Sequence, residues 1–261
     1  MHGRIGVQRG ERPGEALLRG TGREVLVDGA DPDLCARLAT TTAETIGRGN
    51  LALILGGDHA LSVGSIAGAA AAGGRLGVLW FDTHPDLNTA ETSPSGHIHG
   101  MALAAALGLG VPELTEIGFP GPKVRTEDIC LLGARDIDPG ERDLIRDRGI
   151  FLLTMEEWDE TGIAAGLDQA LAHLDAQGVD AVHVSFDLDV IDPLLLPGTG
   201  TCCPGGLIYR EAAQTLRRLR AWGGPIRSID WVELNPSLDP SGRSTEASVA
   251  LLATLLGESM R

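Results

Sequence analysis

Short and nearly continuous apolar runs recur along the chain and alternate with segments of helical periodicity. Such runs are typical of strands that are buried on both faces of a parallel sheet. Strands are predicted at residues 24–27, 51–55, 76–81, 129–133, 150–153, 181–186 and 225–230. Helices are predicted at residues 33–48, 61–72, 100–107, 140–147, 162–176, 209–222 and 244–257. This alternation favours an α/β fold, with helices on both faces of a mainly parallel central sheet.

The sequence carries no feature typical of a membrane or secreted protein. It has no run of 18 apolar residues that would predict a transmembrane helix, and its first residues lack an apolar stretch of the kind found in signal peptides. The four cysteines, Cys35, Cys130, Cys202 and Cys203, include no Cys-x-x-Cys pair. We therefore expect a cytoplasmic protein with reduced thiols. No linker or repeat divides residues 1–261, which are predicted to form a single domain.

The charge of the chain limits its partners. The sequence has 21 basic and 36 acidic residues, a formal net charge of −15. Binding to a nucleic acid backbone needs a basic surface, so this balance argues against a nucleic acid partner. It is compatible with a small cationic substrate that is attracted to a negative cleft, although the charge alone favours simple solubility as its explanation.

Polar residues follow four of the predicted strands. In parallel sheets, ligands bind beyond the carboxyl ends of the strands, so these positions are candidates for a functional site. The polar segments are Gly56–His59, Asp82–Asp86, Asp187–Asp189 and Trp231–Asn235.

Two of these segments repeat acidic and imidazole side chains at a spacing of two residues. Side chains two residues apart on a strand point to the same face, so they can reach one spot. The candidate ligands are His59, Asp82, His84, Asp86, Asp187 and Asp189. Four carboxylates crowded together repel one another unless cations neutralise them, and this set is large enough for two divalent ions. One such segment alone could be a solvated strand end, but three converging segments favour a metal centre.

The order and content of these motifs resemble one enzyme family. The matching segments are GGDH at 56–59, DTHPDLN at 82–88, SGHIHG at 95–100, RDIDPGE at 135–141, SFDLDVIDP at 185–193, PGTGT at 197–201, GGLIYRE at 205–211 and ELNPSL at 233–238. Together they resemble the arginase branch of the ureohydrolases. The resemblance implies a three-layer α/β/α fold, two Mn²⁺ ions per chain, and hydrolysis of a guanidino group to urea and an amine.

The resemblance also implies roles for individual residues. One manganese ion would be held by His59, Asp82, Asp86 and Asp187. The other would be held by His84, Asp82, Asp187 and Asp189, so that Asp82 and Asp187 bridge. Glu233 would bind the guanidinium group, and His99 would transfer protons. The substrate's amino-acid end would meet Asn88, Ser95, His97, Asp138 and Glu141, and Thr201 would orient Glu233 or the substrate.

Some features depart from the family pattern. His97 stands where arginases commonly have an asparagine, which leaves the amino-acid specificity open. Cys202 and Cys203 are unusual beside the active-site loop, and we expect them to serve as packing. Asp138 precedes Pro139 and is also suited to cap a helix. The N-terminal region is shorter than in fuller ureohydrolases and no tail follows the last helix. We therefore expect a homo-oligomer, if one forms, to be weaker or smaller than that of a tailed arginase.

The sequence leaves three functions open. The first is hydrolysis of L-arginine to L-ornithine and urea. The second is hydrolysis of another guanidino compound, either agmatine or an Nω-modified arginine. Agmatine has no carboxylate, so Asn88 and Ser95 would lack a partner, which favours an amino-acid substrate. The third is a metal-binding protein without catalysis, which would need neither His99 nor Glu233.

Overall fold

The computed structural model describes residues 8–9, 15–19, 24–28 and 32–257. The strands are β1 Gln8–Arg9, β2 Glu15–Arg19, β3 Glu24–Asp28, β4 Ala52–Leu55, β5 Leu76–Phe81, β6 Ile129–Leu132, β7 Phe151–Leu153, β8 Ala181–Asp187 and β9 Ile226–Val232. The helices are α1 Pro32–Gly47, α2 Ser62–Ala71, α3 Ala102–Ala106, α4 Pro112–Thr115, α5 Pro139–Arg148, α6 Met155–Thr161, α7 Ile163–Gln177, α8 Tyr209–Trp222 and α9 Arg243–Leu256. The predicted single domain of residues 1–261 also includes residues 1–7, 10–14, 20–23, 29–31 and 258–261, which lie outside the described residues.

The centre of the fold is a six-stranded sheet in the order β4-β9-β8-β5-β6-β7. Every neighbouring pair in it is parallel. Parallel strands need crossover connections, and the helices that lie between them in the sequence supply these. The predicted α/β class with a mainly parallel sheet is confirmed.

One predicted strand lies in a different sheet. Residues 24–27 were expected to belong to the parallel sheet, and this expectation was wrong. Strand β3 pairs antiparallel with β2, which pairs antiparallel with β1. Only four residues separate β2 from β3, which is enough for an antiparallel connection but too few for a parallel crossover.

The helices form two outer layers, with an apolar core on each face of the sheet. Within β5 the side chains alternate, so that Val78 and Trp80 enter one core and Leu79 and Phe81 enter the other. The first core is completed by α1, α2, α3 and α5, and the second by α6, α7, α8 and α9. All residues of β5 are buried, as the continuous apolar run predicts. No helix among the described residues is long and apolar enough to span a membrane.

Helices α1 and α2 approach closely because two glycines face α1. A Cβ atom on Gly64 would lie 2.4 Å from the carbonyl oxygen of Cys35, and one on Gly68 would lie 2.3 Å from that of Ala39. Helix α2 follows directly after the His59–Leu61 turn, so this packing also fixes the approach to His59.

Replacing Gly68 with alanine tests this close approach. We expect Gly68→Ala to lower the free energy of unfolding by about 1–3 kcal/mol, because the added methyl group meets backbone atoms that cannot move independently. Chemical denaturation of the metal-loaded protein measures it. The matched control is Gly47→Ala at the end of α1, where nothing lies within 4 Å of the added atom and no stability should be lost. Equal stability of the Gly68→Ala variant and the wild type would contradict the packing argument.

Candidate functional site

Three strand ends bring the candidate ligands to one edge of the sheet. Strand β5 leads into Asp82, His84 and Asp86, and β8 ends at Asp187, with Asp189 in the turn that follows. The segment after β4 carries His59 in a short 3₁₀ turn. All of these side chains are buried except His84, which is partly exposed. The structure therefore gathers all six candidates.

The first cluster consists of His59, Asp82, Asp86 and Asp187. The Nδ1 atom of His59 lies 3.0 Å from Asp82 Oδ2, 3.2 Å from Asp86 Oδ2 and 2.9 Å from Asp187 Oδ2. The other ring nitrogen, Nε2, lies 2.7 Å from the hydroxyl of Ser185. The Nδ1 atom of the imidazole therefore faces the three carboxylates, while Nε2 is occupied by Ser185.

The second cluster consists of Asp82, His84 and Asp189. The Nδ1 atom of His84 lies 3.4 Å from Asp82 Oδ1 and 3.1 Å from Asp189 Oδ2. Asp82 contributes its two oxygens to different clusters and so belongs to both. Asp187 reaches the first cluster through Oδ2, while its Oδ1 accepts a hydrogen bond from the backbone N–H of Asp189 at 2.7 Å.

The geometry of the first cluster fits a divalent cation. His59 Nδ1 and Asp86 Oδ2 are buried and have no hydrogen-bond partner among the described residues. Ligand bonds of about 2.1 Å at right angles separate neighbouring ligand atoms by about 3 Å, which matches the contacts around His59. Burial and the charge of Asp82 raise the pKa of the Asp86 carboxyl, and burial and the charge of Asp189 raise that of Asp187. A bound cation would relieve this repulsion.

A further set of contacts holds the first cluster in place. The rings of His59 and Trp80 stack with centroids 4.2 Å apart, and Trp80 Nε1 donates to Asp82 Oδ2 at 3.0 Å. Sequence reasoning missed Trp80 and Ser185. Each stands two residues before a candidate ligand on its strand, so the same spacing of two that identified the ligands also points to them.

Glu233 follows β9 and lies beside the first cluster. Its Oε1 atom accepts a hydrogen bond from the backbone N–H of His59 at 2.7 Å, and burial raises its pKa to about 7. Glu233 has φ 65° and Asp86 has φ 52°, and they are the non-glycine residues with positive φ in the described part of the chain. Backbone strain of this kind concentrates at functional sites.

Two cavities open beside the clusters. The first cavity has a volume of about 270 Å³. It is lined by Asp86 of the first cluster, by His84 of the second cluster, and by residues of the 88–100 and 136–141 segments. The other, of about 440 Å³, is lined by Glu233 and the residues around it. His97, His99 and Thr201 line both, so we treat the two cavities as one substrate cleft. All eight predicted catalytic and substrate residues line this cleft: His99, Glu233, Asn88, Ser95, His97, Asp138, Glu141 and Thr201.

Several of these residues also bond to one another. Asn88 Nδ2 donates to Asp138 Oδ2 at 2.9 Å. The two carboxylate oxygens of Glu141 accept from the backbone N–H groups of Leu87 and Asp138, at 2.9 and 3.0 Å. Asp138 and Glu141 form the capping box of α5, as the Asp138–Pro139 sequence predicts. Glu141 thus positions the residues that face the cleft, and burial raises its pKa to about 7.

Thr201 was expected to orient Glu233 or the substrate. In the structure its hydroxyl donates to Asp189 Oδ2 at 3.0 Å. Its loop is therefore attached to the second cluster.

His99 lies next to His97, with ring centroids 5.5 Å apart. Burial lowers the pKa of His99, and the neighbouring His97 lowers it further. An uncharged imidazole in this position can accept a proton and then return it.

Arg135 is a further residue that sequence reasoning missed. Its guanidinium donates to the carbonyl oxygens of Asp189 at 2.8 Å and Cys203 at 2.7 Å, and more weakly to Pro204 at 3.2 Å. It ties the turn that carries Asp189 to the loop that carries Thr201. Asp189 and Cys203 are more than fifty residues away from it in sequence, so the RDIDPGE segment that contains Arg135 does not reveal these contacts.

Comparison with known proteins gives concordant matches. The model of the Arginase family matches residues 17–257. The arginase of Bacillus caldovelox is 45% identical over 224 residues, which are 86% of this chain and 74% of that protein. The native structure of Bacillus caldovelox arginase at pH 5.6 superposes with a TM-score of 0.89 at 42% identity and covers 98% of this chain and 84% of its own. The crystal structure of Bacillus cereus arginase gives a TM-score of 0.84 at 43% identity, and the match covers 88% of this chain and 79% of the Bacillus cereus chain.

The shared position of Asp82 generates a test by metal analysis. We expect about two divalent ions per chain in the wild type, one for each cluster. Asp82→Asn should lower the occupancy of both sites, because it changes a ligand of both clusters, whereas Asp86→Asn should lower that of the first cluster alone. Elemental analysis after dialysis counts the ions. Unchanged metal content in Asp82→Asn would contradict the assignment of these clusters.

Proposed function

Because the chain belongs to the arginase family, we propose that it is a dinuclear manganese amidinohydrolase that converts L-arginine to L-ornithine and urea. The observation that carries the proposal is the single cleft in which two carboxylate–imidazole clusters, Glu233 and His99 meet. The named arginases that resemble the chain support the substrate. The ligand atoms are oxygens and imidazole nitrogens without thiolate, a set that suits manganese but also admits other divalent ions.

The reaction needs a nucleophile, because a guanidinium carbon is a poor electrophile and water is a poor nucleophile at neutral pH. The two clusters would hold a pair of divalent ions, whose Lewis-acid chemistry would lower the pKa of a water and so supply hydroxide. The chain's own residues must then hold the guanidinium beside it, exclude competing solvent and supply a proton to the departing amine.

Glu233 is proposed to hold the guanidinium. A carboxylate can accept two parallel hydrogen bonds from this planar cation, which orients it. The hydrogen bond from the backbone of His59 fixes the Glu233 carboxylate at the edge of the first cluster. Burial favours the neutral acid, and an incoming cation shifts the balance back to the carboxylate, so binding and ionisation of Glu233 reinforce each other.

His99 is proposed to carry protons. It lies where the two cavities join, and so it can contact both solvent and a leaving amine. The amino-acid end of the substrate is proposed to occupy the smaller cavity. There Asn88, Ser95 and His97 would donate to the carboxylate, and Asp138 would accept from the ammonium group, with Glu141 holding Asp138 in place.

Two finer points remain part of the proposal. None of the four cysteines, all of which lie among the described residues, forms a disulfide, and this supports a cytoplasmic enzyme with reduced thiols. The net charge of −15 supports a small cationic guanidino substrate over a nucleic acid partner.

The competing function is hydrolysis of agmatine or of an Nω-modified arginine. His97 favours this function if its side chain does not bind the α-carboxylate of the substrate.

A urea assay across substrates tests the proposal. With the manganese-loaded protein we expect kcat/KM for L-arginine to exceed that for agmatine by about tenfold or more, because agmatine leaves the donors of the smaller cavity unpaired. Nω-hydroxyarginine serves as the third substrate; its hydrolysis gives ornithine and N-hydroxyurea, so ornithine is measured for it. Higher kcat/KM for agmatine or for Nω-hydroxyarginine would transfer the proposal to the competing function, and no hydrolysis of any of the three would overturn both.

The two histidines of the cleft should separate kinetically. General acid–base help is worth about 10²–10⁴-fold, so His99→Ala should lower kcat by about that range while the metal content is unchanged. Added imidazole should restore part of the loss. His97→Ala is the matched variant and should mainly raise KM, since it removes binding common to the ground and transition states. The reverse pattern would exchange their roles, and no effect of either would require another proton donor.

A further inference from the structure

Two adjacent thiols lie on the loop that borders the substrate cleft. All four cysteines fall within residues 32–257 and none forms a disulfide; two of them, Cys35 and Cys130, are buried. Cys202 is exposed and Cys203 is half-buried. Oxidants in solution can therefore reach only this pair, and accessibility is a main determinant of thiol reactivity. The pair was expected to serve as packing, but the exposure of Cys202 is inconsistent with that role.

Cys202 is connected to the second cluster through its own loop. Its sulfur lies 3.1 Å from the hydroxyl of Thr199 and 3.5 Å from the Thr199 carbonyl oxygen. The neighbouring residue, Thr201, donates to Asp189 Oδ2. The turn that carries Cys202 therefore contacts both the substrate cleft and Asp189.

Cys203 is held from the opposite side. Arg135 donates to its carbonyl oxygen and to that of Asp189, while the Cys203 sulfur lies 3.7 Å from the carbonyl oxygen of Pro204. The two sulfurs thus have separate partners. A bond between them requires Cys202 to leave Thr199, because the backbone of Cys203 is anchored.

We propose that Cys202 and Cys203 are an oxidative modification site, at which a hydroperoxide forms a reversible disulfide that distorts the Thr199–Thr201 turn and lowers activity. One thiolate attacks the O–O bond of hydrogen peroxide and gives a sulfenic acid and water after protonation. The second thiolate attacks that sulfur, the S–S bond forms, and the sulfenic oxygen leaves as water. In sum, two thiols and one hydrogen peroxide give one disulfide and two waters.

A disulfide between Cys202 and Cys203 is easy to reverse, because the two residues are adjacent in the sequence. Adjacent Cα atoms are about 3.8 Å apart across a trans peptide, which is shorter than the roughly 4.4–6.8 Å usual for a disulfide. A disulfide between neighbours is therefore strained, and strained, exposed disulfides are readily reduced by small thiols. The site acts as a switch rather than as a structural cross-link.

The effect on activity rests on the proposed function, so the test has a readout that does not. Purified wild-type protein is treated with a small excess of hydrogen peroxide. It is then digested with a protease that cleaves the chain after arginine and lysine residues. Residues 149–210 are released as one peptide whose only cysteines are Cys202 and Cys203. This peptide should become two hydrogens lighter, and dithiothreitol should restore its mass. Failure of the proposed function leaves this mass change in place.

Activity is then measured on the same samples. We expect oxidation to lower kcat/KM for the best guanidino substrate by about tenfold, because displacements of about 1 Å near a site can cost more than that, and dithiothreitol to restore it. Cys203→Ser and Cys202→Ser, which cannot form the bond, should keep their activity under the same treatment. A peptide of unchanged mass, sulfinic acid in place of the disulfide, or an oxidised wild type with full activity would each overturn the proposal.

Discussion

Four buried carboxylates lie against two imidazoles at one edge of the sheet. Such a group is unfavourable without cations, because burial and mutual repulsion both disfavour the charged carboxylates. The fold accepts it only at the carboxyl edge of the parallel sheet, where β5 and β8 lie side by side and their polar continuations leave the core together. Apolar residues of the same strands pack into the two cores, so the ligands extend from strands that are buried.

The same edge also connects the metal clusters to the substrate cleft. His59 contacts the first cluster with its ring and Glu233 with its backbone N–H. Asp189 belongs to the second cluster and accepts from Thr201, which also lines the cleft. Each cluster is therefore bonded directly to a residue that lines the cleft.

The sequence predicts those parts of this arrangement that depend on patterns within a few neighbouring residues. The ligand segments after β5 and β8, and the strands themselves, follow from runs and spacings within a few residues. The cap of α5 follows from Asp138 and Pro139. Contacts between distant segments could not be predicted: Arg135 meets carbonyl oxygens more than fifty residues away, and the hydroxyl of Thr201 selects Asp189 over Glu233. Strand β3 shows the limit of composition, since an apolar run indicates a strand but not the sheet in which it pairs.

The left-handed backbone at Asp86 and Glu233 sets stability against catalysis at two positions. Holding a non-glycine residue in a sparsely populated conformation costs about 1–3 kcal/mol, and glycine would remove that cost at either position. Glycine would also delete a carboxylate from the first cluster or from the wall of the cleft. Glycine at residue 86 or 233 would therefore exchange backbone strain for the loss of a carboxylate that the proposed metal site or guanidinium site uses. Libraries for improved thermostability should hold these two codons fixed and draw their gains from elsewhere in the fold.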